Sequence, residues 1–262
     1  MIALKLLLVP AFLLLVSLAG KRWGPSVAGW LAGLPIVAGP ILFFLAVEYG
    51  EVFASNASSA ALSAVLSSVA FSTAYAHAAQ RLRWSSSLML ALLAWCIAAF
   101  FLSQLPSNIW LSLIIALVTL ITAPRLFPSI QAQLNNHIVT FPELYCRMLA
   151  GAALTIAVTV TADKTGHNWS GLLSVFPILG IVLAVFSHHT QGPAFVSVLL
   201  RSMVTGLYSF TAFCFALSFG LPHFGIVIAF SIAVFMAVVV QISTKRHLTS
   251  GSSRSLRSLG TG

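Results

Sequence analysis

Acid is what this chain has least of. Four of its 262 residues are Asp or Glu, against 13 Lys and Arg. Charged residues make up 6% of the chain, where a soluble domain carries about 25%. With 59% hydrophobic residues and a mean hydropathy of +1.02, there is too little polar surface to coat a globule in water. The scarcity also excludes chemistry. None of the four carboxylates, Glu48, Glu51, Glu143 and Asp163, is adjacent to a histidine within an apolar segment, and no nucleophile–base–acid set is visible. The phosphate-binding loop, the dinucleotide fingerprint, HExxH and GxSxG are all missing. The chain is therefore not expected to be an enzyme, and it receives no catalytic residue and no cofactor. Cysteine is scarce too. Cys96, Cys146 and Cys214 are odd in number and form no CxxC, which supports neither a disulfide framework nor a metal site. His188 and His189 point in different directions on regular backbone, and no third ligand is spaced with them, so no metal is assigned. The net charge of +9 sits in short loops, without a basic, aromatic-interleaved domain, so nucleic acid is not an expected partner.

What the chain does have is long apolar runs without strict alternation. A backbone solvated by lipid must satisfy its own hydrogen bonds, and such runs choose helices over a barrel. The expected fold is an all-α polytopic membrane protein of about nine transmembrane helices, with the lipid bilayer as its first partner. The predicted spans are 2–20, 26–47, 54–76, 85–103, 108–122, 144–161, 169–187, 195–218 and 225–242. The third, rich in Ser and Ala, reads as a helix buried among others, because small residues let backbones approach. The first resembles a signal peptide but leads into no soluble domain, and is read as a retained helix.

Two stretches repeat. Residues 24–53 and 166–195 align without a gap at a constant offset of 142. Gly24 meets Gly166, Gly29 meets Gly171, Pro35 meets Pro177, Gly50 meets Gly192, and further on Phe71 meets Phe213. Domains follow as a first repeat (1–123), a cytoplasmic linker (124–143), a second repeat (144–242) and a disordered basic tail (243–262). Placing the tail in the cytoplasm puts ten basic residues on the inner side and two, Lys5 and Lys164, on the outer. Five helices then precede the echo of the first. An odd number reverses the second copy, giving inverted-topology repeats of five and four helices with the N-terminus outside.

Each copy carries an apolar helix interrupted by proline and glycine. Paired interrupted helices at corresponding positions of two halves point to a transporter site near the midplane. Proline removes a backbone donor, and half-helices starting near Pro40 and Pro177 would aim positive dipole ends inward. The candidate substrate-binding residues are Pro35, Gly39, Pro40, Pro177, Gly180 and Arg201. Arg201 lies inside a later span and reads either as an anion partner or as a snorkelling side chain. Glu48 and Glu51, at the outer end of the second helix, are the candidate coupling residues. Five tryptophans near span ends fit the aromatic belt.

The run Gly171-Leu172-Leu173, Phe176-Pro177, Gly192 and Leu200-Arg201 resembles the GlpM family of small bacterial inner-membrane proteins over 145–242, with a fainter copy in the first half. The chain departs from that family in its double length and in a longer step from Pro177 to Gly192. The resemblance implies a bacterial inner-membrane location and a link to envelope polysaccharide production, and it carries over no catalytic residue. Two functions follow as expectations. One is a secondary transporter or permease for a small polar or anionic molecule. The other is a non-transporting subunit of an envelope polysaccharide biosynthesis or export complex, partnered by a membrane complex or a second copy of the chain.

Overall fold

A computed structural model describes residues 2–105, 108–129, 141–164 and 176–258. Every element among them is a helix: α1 (Ile2–Trp23), α2 (Pro25–Ala32), α3 (Ala38–Tyr49), α4 (Glu51–Ser63), α5 (Val65–Ala79), α6 (Trp84–Ser103), α7 (Ile109–Leu126), α8 (Phe141–Lys164), α9 (Ile178–Gln191) and α10 (Pro193–Ser258). Among the described residues six helices are long and apolar enough to cross a membrane, and α3 and α9 are shorter apolar helices. The fold is that of an α-helical membrane protein.

The second predicted span is broken, as its Pro and Gly content requires. α2 stops at Ala32, residues 33–37 form turns, and α3 restarts at Ala38. The third is continuous across a slight bend at Ala64, and its window Glu51–Ala79 is the most buried of the six. Ser58 and Ser72 are fully enclosed there, and each hydroxyl donates to the carbonyl one turn back. A hydroxyl bonded within its own helix carries no unmet donor into the core. α10 contains an apolar window of 52 residues, far longer than the roughly 20 needed to cross a bilayer. It bends back at Gly225 (φ 75°, ψ 169°) and so forms two arms, 193–224 and 226–258. The same conformation joins α3 to α4 at Gly50 (φ 89°, ψ 168°) and α9 to α10 at Gly192 (φ 88°, ψ 177°). This region is open essentially to glycine alone.

Two glycine contacts set the centre. α2 lies against the first arm of α10 with backbone touching backbone: a Cβ on Gly29 would sit 2.0 Å from the Leu199 carbonyl oxygen, and one on Gly206 2.4 Å from the Trp30 carbonyl oxygen. Beside them α4–α5 and the first arm run antiparallel. Ser55 and Ser218 exchange hydroxyl-to-carbonyl hydrogen bonds of 2.6 and 3.0 Å, while Gln80 donates to the Ser197 hydroxyl (2.9 Å) at the other end. α1 packs on α8, α6 on α5, and α7 between α4–α5 and α10. Asn108 starts α7, its side chain accepting from the amides of Trp110 and Leu111. α6 and the second arm turn Leu93, Ile97, Phe101, Val227 and Phe235 outward, a sheath that lipid would solvate.

The charges separate by end. His77 bonds the Leu126 carbonyl, Gln80 bonds Ser197, and Thr190 bonds Glu143, so the ends of α5, α7 and α9 lie together with the starts of α8 and α10. Arg81, Arg83, Arg125 and Arg147 are at this end, and Lys21, over the Phe141 ring at 5.8 Å, joins them. Glu48 and Glu51 occupy the opposite end, where Glu51 approaches Gly225.

Three expectations shift. Pro124 lies inside α7, so the fifth helix runs to Leu126 and the linker shortens; residues 130–140 lie outside the described ones. α10 continues to Ser258, over residues expected to be a disordered tail, because a formed helix extends one residue at a time without a new nucleation step. Arg147, counted with the loop charges, is buried at 3% exposure inside α8.

Candidate functional site

The break between α2 and α3 and the start of α9 meet at a cavity of about 200 Å³. Ala32, Gly33 and Leu34 bring the C-terminal end of α2 to its wall; Val37 and Ala38 bring the N-terminal end of α3; Pro177 to Gly180 bring the N-terminal end of α9. Val9 of α1, Val65 and Ser68 around α5, Thr155 of α8, and Met203 and Leu207 of α10 close the rest.

Pro177 starts α9 in the second copy. Its backbone (φ −79°, ψ 55°) is that of an inverse γ-turn, closed by Ile178 N–H donating to Phe176 O at 2.8 Å. The turn delivers α9 with no side-chain cap on its first turn, and α3 has none either. Both helix starts lack side-chain caps, but they differ in what they offer: at α3 the Gly39 amide already donates to Pro35 O at 2.7 Å and Pro40 has no amide, so the open amides at the cavity are those of Leu179 and Gly180 in α9, with the carbonyl end of α2 beside them. Amides at such an end attract a carboxylate or another acceptor. Among the described residues the remaining wall is apolar apart from Ser68 and Thr155, and the Thr155 hydroxyl donates back to Gly151 O at 2.7 Å. Trp95 supports the wall from behind, its ring edge-on to Phe176 at 5.1 Å.

Of the residues expected to bind substrate, Pro177 and Gly180 line this cavity. Pro35, Gly39 and Pro40 do not. They line a separate apolar cleft of about 490 Å³ with Phe43, Phe213 and Phe230. The helical period is the reason. Val37, Ala38, Ile41, Leu42 and Leu45 form one stripe of α3 and take the cavity, which turns Gly39, Pro40 and Phe43 to the other side. Pro40 sits in the first turn, where a missing amide costs little. Arg201 is exposed and lines a third cleft, of about 630 Å³, between α7 and the two arms of α10. Glu48 is exposed, Glu51 is half-buried, and neither lines the central cavity. The first part of the seventh predicted span, 169–175, lies outside the described residues.

The sequence reading missed two features. Gly29 and Gly33 are four apart on α2, the small-residue spacing that admits a neighbouring backbone. Glu143 and Arg147 are also four apart, and form a buried ion pair of 2.6 Å. Glu143 also accepts from Thr190 (3.2 Å), Arg147 reaches the Ser17 hydroxyl (3.3 Å), and its guanidinium lies over the Phe186 ring (5.8 Å). The pair ties α8 to α1 and α9 about two turns from the cavity wall at Thr155. An i,i+4 acid–base spacing inside an apolar segment was the available signal.

A cavity at the α2–α3 break, inside a bundle in which six of the described helices are long and apolar enough to span a bilayer, fits the class of α-helical membrane proteins. No family model, curated protein or solved structure matches the chain.

Proposed function

We propose that the chain is a secondary transporter of small solutes, built from two inverted repeats, with its binding site in the cavity between the paired helix breaks. The observation that carries this is the meeting of the α2–α3 break and the uncapped N-terminus of α9 at one cavity. Discontinuous helices with their ends at a shared site are how inverted-repeat transporters hold solute.

The element boundaries support the repeat. At an offset of 142, α1 falls on α8, α3 on α9, α4–α5 on the first arm of α10, and α6 on the second arm. Gly50 and Gly192 share one glycine-specific conformation, and Phe71 and Phe213 are both core residues. The antiparallel pairing of α4–α5 with its own counterpart is what inversion requires. With α2–α3 as one interrupted crossing, and α9 in its counterpart, the proposed passes number nine and α7 joins the halves. The basic end then faces the cytoplasm of a bacterial inner membrane, with the N-terminus periplasmic.

The cavity narrows the substrate. Its volume is below the roughly 300–1,000 Å³ of drug-sized pockets, no charged side chain among the described residues lines it, and its described polar groups are helix amides plus two hydroxyls. A short-chain carboxylate or a similarly small solute with one acceptor group fits best. Arg201, outside the cavity, is not assigned to this substrate.

Proteoliposomes carrying the purified chain test the reading with a panel of short-chain carboxylates and amides. Uptake above that of protein-free vesicles is expected, and Gly180→Leu abolishes it. A Cβ at Gly180 would make ordinary contact with Met203 Cε at 3.4 Å and Phe71 Cε1 at 3.5 Å, so the rest of a leucine side chain must take space from the cavity that Gly180 lines. No uptake across the panel, together with co-purification of a polysaccharide synthase, would move the assignment to an accessory subunit.

A further inference from the structure

The cleft that holds Arg201 is larger than the central cavity and is lined differently. Leu120 and Pro124 of α7 form one wall, Arg201 and Tyr208 the second, and Val240 and Ser243 of the far arm of α10 the third. Arg201 and Tyr208 are seven residues apart on one helix face, about 10 Å along the axis. Among the described residues neither the guanidinium nor the Tyr208 hydroxyl has a hydrogen-bond or ion-pair partner. A snorkelling arginine accounts for the first group. The half-buried Tyr208 hydroxyl, on the same face of the helix, gives the cleft a second polar group able to donate to a ligand.

The surroundings define that ligand. The cleft lies at the basic end, next to Arg125. The one carboxylate described at that end, Glu143, is engaged by Arg147 and Thr190. Ile121, Val239 and Ile242 beside the cleft are exposed, so its mouth opens on the apolar sheath.

We propose that this cleft binds one anionic phospholipid. The Arg201 guanidinium grips the headgroup phosphate, the Tyr208 hydroxyl donates to an ester carbonyl of the glycerol region, and an acyl chain follows the Leu120–Val240 walls. The order of groups along the cleft is the order along a lipid: phosphate at the basic end, ester deeper, hydrocarbon beside the apolar walls. A planar guanidinium bonds two phosphate oxygens at once, which an ammonium cannot reproduce.

Native mass spectrometry of the full chain released from detergent tests this, with phosphatidylglycerol and phosphatidylcholine titrated separately and inorganic phosphate as the soluble arm. The wild type is expected to retain one phosphatidylglycerol about tenfold more tightly than phosphatidylcholine. Arg201→Ala removes that preference, and Arg201→Lys keeps part of it. Tyr208→Phe weakens both lipids by a similar factor and leaves the preference intact. Equal retention of the two lipids by the wild type, or an undiminished preference in Arg201→Ala, overturns the proposal. Saturable binding of inorganic phosphate that phosphatidylglycerol does not displace would reassign the cleft to a soluble anion.

Discussion

Gly29→Ala adds one methyl group where α2 meets α10, and the structure sets its cost. The new Cβ lies 2.0 Å from the Leu199 carbonyl oxygen and 2.9 Å from the Met203 amide nitrogen, and both neighbours are backbone. Ordinary contact begins at 3.4 Å, so the helices must separate by more than 1 Å along this seam. A gap of about 0.5–1 Å already forfeits a quarter to a half of each dispersion contact it opens. Overpacking of a tight interior costs about 1–3 kcal/mol, and a rigid backbone neighbour puts Gly29→Ala near the upper limit, about 3 kcal/mol. For a chain of this size that lowers the melting temperature by about 6–12 °C. Thiol-reactive dye unfolding in detergent reads it through buried Cys214, after the exposed Cys96 and Cys146 are changed to Ser. The control is Gly39→Ala, whose Cβ meets the movable Phe213 ring at 3.4 Å. It should be neutral or gain up to about 1 kcal/mol from helix propensity. Equal melting of Gly29→Ala and the wild type would refute the reasoning, because the helices could then not be in backbone contact.

The buried pair gives a second expectation. Glu143→Leu or Arg147→Met alone leaves an uncompensated charge and costs about 3–5 kcal/mol, whereas the double variant recovers most of the loss. Additive losses in the same melting assay would mean that the two groups do not interact. Gly192→Ala has open space around its Cβ but a φ of +88°, so it should cost about 1–3 kcal/mol through backbone strain alone; unchanged melting would show a different conformation there. Glu48→Cys and Arg83→Cys should react with an impermeant thiol reagent from opposite sides of the membrane, and labelling from one side would rule out the separation of acidic and basic ends.

The sequence by itself determined the solvent and the material. Almost no charge and long apolar runs leave lipid as the surroundings and helix as the backbone solution, whatever the tertiary arrangement. It also marked where helices break, since Pro and Gly act on the local backbone: the turns at 33–37, the γ-turn at Pro177 and the reversals at Gly50 and Gly192 stand where those residues do. The tertiary structure decided which side of each break faces which neighbour. Half a turn of helix is enough to send Ala38 to the cavity and Pro40 to the cleft behind it. It also decided which charges are alone. Glu143 and Arg147 read as loop residues until α1 and α9 close over them, and Arg201 reads as a partner for the breaks until α7 and the far arm of α10 enclose it in a cleft of its own. A break in a helix is written in its own few residues, but the company a side chain keeps depends on helices far along the chain, 47 residues away for Glu143 and Thr190 and 130 for Arg147 and Ser17.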